Sequence, residues 1–246
     1  LALRPSMKKF ECASRSLDVL NYSQAFPAFL NRQIILILCA RGVPDAVFIQ
    51  LQHDHLAELT AANPSTLRIP GLSVEAIPLN DPFKRALAHL HYQRAIKDLV
   101  TRSRIAVPQG RVLMGVVDET GLLGEGQVFC QIDGVGVIEG QIVVAKNPCM
   151  HPGDLRVLEA FRVNELMQTH RNVIVFPRRG ARPIPDMCSG SDLDGDLYFV
   201  TWDTRLIPVV REEAPMDYSG LPAVELAEPV GMDDVCHFLL HYLAND

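Results

Sequence analysis

A mixed, mainly β fold built on a small closed barrel of six short strands, preceded by a helical linker, is the fold class this sequence predicts. Three observations predict it. The 246 residues are 48% hydrophobic and 21% charged, an ordinary globular make-up with room for one large domain or two small ones. Up to about residue 104 the apolar residues recur at helical spacing, and beyond it they gather in short Val/Ile-rich runs. Those runs, at 111–117, 127–132, 141–146, 155–161, 172–176 and 196–202, are separated by Gly- and Pro-bearing turns with no helical signal between them.

Taken in order, residues 1–12 hold Arg4, Lys8 and Lys9 around Pro5 and Phe10, a weakly basic turn. The apolar run 31–40 ends at Arg41-Gly42 with Pro44 beyond, which marks the stop of a short buried helix. Residues 45–59 read as a second helix. Its His53 and His55 point apart at i, i+2 spacing and make a poor metal pair. Four prolines between 64 and 82 make a loop. Residues 84–102 form an amphipathic linker helix with Leu87, Leu90, Ala95 and Leu99 on one face and bases on the other. The six strands follow, with Asp118-Glu119-Thr120-Gly121 as a hairpin turn. Trp202 reads as a core anchor and Asp203 as a capping or turn residue. Residues 233–243 start a last amphipathic helix. The longest apolar run, 34–40, is far short of a membrane span, and no signal peptide is visible.

The six cysteines show no C-x-x-C and no regular spacing, so reduced thiols in an intracellular protein, cytoplasmic or nuclear, are expected. Cys149 and His151 lack the second pair of ligands that a structural zinc site needs. The net charge of −6 argues at first against a nucleic-acid binder. Its distribution changes that. Residues 211–246 hold eight acids and one base, which leaves 22 bases and 21 acids before them. Arg171, Arg178, Arg179 and Arg182 occur with no acid between 166 and 185, a pattern suited to phosphate contacts as well as to solvated loop arginines.

The chemistry concentrates at 188–203, Cys-Ser-Gly-Ser-Asp-Leu-Asp-Gly-Asp followed by an apolar run. Asp192, Asp194 and Asp196 lie on a tight turn feeding a strand, with Gly190 and Gly195 opening turn geometries closed to other residues. Carboxylates about 5 Å apart at an effective dielectric near 20 repel by roughly 3 kcal/mol a pair. Three such pairs cost about as much as the net stability of a domain. The turn therefore calls for a cation, bound protons or a loose exposed geometry. Oxygen-only donors favour a hard ion, Mg²⁺ before Zn²⁺. An EF-hand is a poor match, because Gly195 is the fourth residue of the loop, where the EF-hand glycine is the sixth. Carboxylates on Mg²⁺, with substrate phosphates completing the shell, are the arrangement of phosphoryl transfer.

The stretch "CSGSDLDGDLYFVTWDTRLIP" strongly resembles the catalytic signature of the eukaryotic RNA-dependent RNA polymerases of RNA silencing. "RPSMKKF", "LNRQIILIL", "GRVLMGVVDETGLLGEGQVF" and "VVAKNPCMHPGDLRVLEAF" resemble further blocks of that family, in its order, over residues 4–208. The resemblance implies a double-psi β-barrel of the kind shared with multisubunit cellular RNA polymerases, with part of a second barrel preceding it. The chain then divides into 1–60, the end of the first barrel region with helices; 61–104, the Pro-rich loop and linker helix; 105–210, the catalytic barrel; and 211–246, an acidic tail and the start of a helical segment.

The resemblance also implies Asp192, Asp194 and Asp196 as catalytic metal ligands for Mg²⁺, with Mn²⁺ as the alternative ion. Lys9, directly before Phe10, would contact nucleotide phosphates, with Arg4 as a second candidate. Lys146 lies in the block near the site, and Arg178 and Arg182 complete the substrate-binding candidates. The partners would be a single-stranded RNA template, nucleoside triphosphates and a double-stranded RNA product, with no membrane. The chain opens without Met, and the resemblance implies a piece of a longer protein that is inactive alone. Two rivals use the same residues: a Mg²⁺-dependent phosphodiester or phosphate hydrolase, and a non-catalytic RNA- or ion-binding module.

Overall fold

The computed structural model describes residue 16 and residues 18–61, 81–220 and 229–245. Arg4, Lys9 and the expected part of a preceding barrel before residue 16 lie outside the described residues, as does most of the Pro-rich loop at 64–82.

A short strand, β1 (Phe26–Phe29), leads into α1 (Arg32–Ala40). Asn31 caps α1 by accepting from the Ile34 amide at 2.9 Å. Gly42, at φ +90°, takes the left-handed turn that closes it, with the Val43 amide on the Leu38 carbonyl. Helix α2 (Asp45–Ala61) follows. Helix α3 (Pro82–Arg102) starts two residues before the predicted position, because Asp81 caps it and Pro82 fills the first turn without needing a donor.

The barrel strands are β2 (Ala106–Val117), β3 (Gln127–Ile132), β5 (Gly140–Lys146), β6 (Arg156–Ala160), β7 (Val173–Phe176) and β8 (Leu197–Thr201), with β4 (Gly136–Val137) an added rung on β3. The ring runs β2-β7-β3-β6-β5-β8 and closes through a β8–β2 pairing. Two of its pairings are parallel, β2–β7 and β3–β6, and the rest are antiparallel. This is the mainly β, six-stranded closed barrel that the sequence predicts. Closure leaves the ring no exposed strand edge.

Alternation along the strands sorts two cores. Ile142 and Val144 of β5, with Tyr198 and Val200 of β8, point into the barrel with Leu113, Val128, Ile174 and Phe176. Val143 and Ala145, with Phe199, point the other way and pack under Ile34, Leu38, Phe48 and Leu51 of α1 and α2. Both faces of β5 and β8 are thus buried, which is why their sequences read as continuous apolar runs. Two one-turn helices, α4 (Asn164–Met167) and α5 (Ile184–Met187), interrupt the later strands. Helix α6 (Met232–Asn245) closes the described residues.

Candidate metal centre and nucleic-acid cleft

The acidic turn leaves the one-turn helix α5 through Cys188 and re-enters the sheet at β8. Its backbone is bent by Ser189, Gly190, Leu193 and Gly195, all at positive φ, with Gly195 at +124°. Leu193 at φ +65° is an uncommon conformation for a side-chain-bearing residue. The turn is pinned to β2 by the Gly115 amide, which donates to the Asp196 carbonyl at 3.1 Å. Gly115 has no room for anything larger. A Cβ there would meet the Tyr198 ring and Leu193 at under 3.0 Å.

Asp192, Asp194 and Asp196 each offer a carboxylate oxygen, and these atoms lie within 4.8 Å of one another. Asp192 and Asp194 are exposed and Asp196 is half-buried. Asp196 Oδ2 accepts from Lys146 Nζ at 2.8 Å, and from the Ser191 hydroxyl, which in turn pairs with the Tyr198 hydroxyl. Burial alone would raise the Asp196 pKa. The bonds from Lys146 and Ser191 outweigh it and hold the carboxyl below its usual range. Tyr198, fully buried, is pushed up by desolvation and stays a neutral phenol.

A cleft of about 540 Å³ opens over this turn, lined by Gly115, Val116, Val117, Glu119, His170, Asp192 and Leu193. An adjoining hollow shares Val117 and Leu193 with it and is lined by Arg178, Arg179 and Gly180. Arg178 also reaches the Glu119 carbonyl at 3.5 Å. Arg182 is engaged elsewhere, with Nε on Asp186 at 2.5 Å and Nη2 on the Met216 carbonyl at 2.9 Å. Arg171 pairs with Asp133 at 3.6 Å. The structure thus gathers the three aspartates and Lys146 at one point, puts Arg178 and Arg179 beside them, and turns Arg182 into the frame.

The other acids have structural work. Asp118, fully buried, accepts from the Thr120 amide and hydroxyl and from the Leu123 amide, which closes a turn. The turn is not the predicted hairpin, because β2 and β3 on either side of it do not pair but are separated in the sheet by β7. Asp203 caps the turn at 204–206 and grips Arg205 with both oxygens, as a capping residue should. Sequence reasoning missed Ser191, Tyr198, Gly115 and His170 as parts of the site. Gly115 and His170 carry no local signal, because barrel closure brings them to the turn, whereas Ser191 and Tyr198 lie only five and two residues from Asp196 along the chain.

The donor set fits a hard divalent cation: oxygen atoms only, converging within a few ångströms, two of the three carboxylates exposed. A closed mixed barrel bearing such a turn at a strand entry defines a class, the closed-barrel proteins whose aspartate trio could hold a metal ion. The family model described as RNA dependent RNA polymerase matches residues 1–246, and this chain belongs to that family. It is 36% identical over 281 residues to Probable RNA-dependent RNA polymerase 2 of Oryza sativa subsp. japonica, covering 100% of this chain and 25% of that protein. It is 39% identical to Probable RNA-dependent RNA polymerase 1 of the same organism, covering 100% of this chain and 36% of the relative, and 34% identical to RNA-dependent RNA polymerase 2 of Arabidopsis thaliana, covering 100% and 25%. The chain thus spans about a quarter to a third of the length of these relatives. Among solved structures, the RNA dependent RNA polymerase QDE-1 from Thielavia terrestris shares the fold, with a TM-score of 0.67 at 22% identity over 89% of this chain and 30% of that one.

Proposed function

We propose that this chain supplies the metal-holding barrel of an RNA-dependent RNA polymerase, which copies single-stranded RNA into double-stranded RNA for gene silencing inside the cell, in cytoplasm or nucleus. One observation carries the reading: three carboxylates converge at a strand entry, and one of them, Asp192, lines an open cleft. Membership of the family supports it, as do the names of the relatives. No helix among the described residues is long and apolar enough to cross a membrane.

In this reading Asp192, Asp194 and Asp196 hold Mg²⁺, or Mn²⁺ in its place. When bound, the metal would lower the pKa of the attacking 3′-hydroxyl and neutralise the pyrophosphate that leaves. The hydroxyl oxygen forms a bond to the α-phosphorus as the bond to pyrophosphate breaks, and the hydroxyl proton passes to solvent. Lys146 and Ser191 keep Asp196 ionised and aimed. Arg178 and Arg179, in the adjoining hollow, are placed to take phosphate oxygens. Lys9 and Arg4 would meet the nucleotide phosphates from the preceding barrel, and Arg182 would act by bracing the helix beside the turn. Template pairing, not side chains, selects each nucleotide.

In the full-length enzyme Asp194→Ala is expected to leave folding intact and to abolish Mg²⁺-dependent RNA synthesis from single-stranded RNA and four nucleotides. Retained synthesis removes the metal assignment. Phosphate release without a template would favour the hydrolytic reading instead.

A further inference from the structure

Residues 211–220 have no regular secondary structure, yet they follow a fixed course across the protein. Three arginines hold the segment 210–216 by its carbonyls. Arg41 Nε donates to the Val210 carbonyl at 2.9 Å and Nη2 to that of Arg211. Arg156 Nη1 donates to the Glu213 carbonyl at 2.7 Å, and Arg182 Nη2 to that of Met216. The segment lies so close to the 3₁₀ turn at Pro152–Asp154 that a Cβ on Gly153 would run into the Ala214 carbonyl. Its last anchor is Tyr218. The Tyr218 hydroxyl donates to Asp154 Oδ1, and a Cβ added at Gly190 would stand 2.8 Å from Tyr218 Cβ. Asp154 is itself fixed, its other oxygen accepting from the amides of Met150 and His151 at 2.9 and 3.0 Å. Burial first, and the Asp154 carboxylate second, push the Tyr218 hydroxyl up to about 12, so it remains a donor at neutral pH.

Gly190 begins the acidic turn two residues before Asp192, and its φ is +65°. Tyr218 therefore seats against the bend that sets where the aspartates start. We infer that residues 210–218 form a strap whose Tyr218, braced on Asp154 and packed on Gly190, is a positioning residue for the metal turn. It sets the divalent-cation affinity of Asp192, Asp194 and Asp196 without touching the ion. This inference rests on the metal reading above.

The test uses the full-length enzyme. Mn²⁺ binding is followed by electron paramagnetic resonance, the Mg²⁺ concentration for half-maximal RNA synthesis is measured, and metal-free Tm is recorded. Asp194→Ala is run alongside to identify the signal of this site. Tyr218→Ala is expected to weaken that Mn²⁺ binding and raise the half-maximal Mg²⁺ concentration about tenfold, the low end for groups supporting metal ligands. Saturating Mg²⁺ should recover most of the rate. Tyr218→Phe, which keeps the ring and loses only the Asp154 bond, should shift both in the same direction by less, and stands in should the alanine variant fail to fold. A lowered Tm with unchanged Mn²⁺ affinity and unchanged Mg²⁺ dependence in the folded variants overturns the strap's role while leaving the metal site standing. Unchanged Mn²⁺ binding in Asp194→Ala overturns the metal reading itself, and this inference with it.

Discussion

Asp196 and Asp118 show how the same side chain is put to two uses by its neighbours. Asp196 has a lysine 2.8 Å away and is only half-buried. Asp118 is sealed, and its oxygens are consumed by Thr120 and Leu123. Burial would raise the Asp118 pKa, but the bonds from Leu123 and Thr120 win and hold it below the usual carboxylate range. The sign follows from linkage. A depressed native pKa contributes stability that is full above the unfolded value, about 3.9, and is lost as pH falls through the lower native value. Asp118→Asn should therefore cost about 2 kcal/mol at pH 7. The gap to wild type should narrow at pH 3, below the unfolded value, where the unfolded wild-type chain binds a proton that the native carboxylate resists. Urea unfolding at the two pH values checks this, and an equal gap at both would remove the charge from the explanation. From sequence, Asp118 was legible as a turn residue because Asp and Gly flank a β-branched residue there. The partner of Asp196 was not, since Lys146 stands fifty positions earlier on another strand.

At the scale of elements, the acidic turn and β2 are one unit. The Gly115 amide bonds the Asp196 carbonyl, and the missing side chain leaves space for Tyr198 and Leu193. Gly115→Ala is expected to destabilise the chain by about 1–3 kcal/mol through overpacking, read as a lower urea midpoint at unchanged slope. An unaltered midpoint would mean that the turn yields easily. The six barrel strands were legible because β-branched runs bounded by Gly and Pro carry their own signal. Strand β1, with Pro27 inside it, and the two-residue β4 were not, since their partners rather than their composition make them strands. The one-turn helices α4 and α5 were missed for a similar reason: four residues hold no helical period.

Across the whole molecule, Arg41 joins what the chain separates. Its buried guanidinium donates to carbonyls at Pro152, Leu155, Val210 and Arg211, tying the end of α1 to the β5–β6 loop and to the strap. Burial lowers its pKa, yet carbonyl oxygens satisfy its donors with no carboxylate among them. Arg41→Met leaves those acceptors without partners and is expected to cost about 3 kcal/mol or more, seen as a fall in Tm of the whole cooperative unit. A change confined to local proteolysis near 210, with Tm intact, would contradict that unity. In the sequence this arginine read only as the stop of a helix. Hydropathy, glycine and aspartate spacing by themselves determined the long helices α1, α2, α3 and α6, the barrel strands and the acidic turn, because those signals are local and follow from backbone geometry and charge repulsion. Tertiary structure alone decided the ring order β2-β7-β3-β6-β5-β8, the Lys146–Asp196 pair and the seating of Tyr218 on Gly190. Each of these joins residues far apart in the chain that only tertiary packing brings within range.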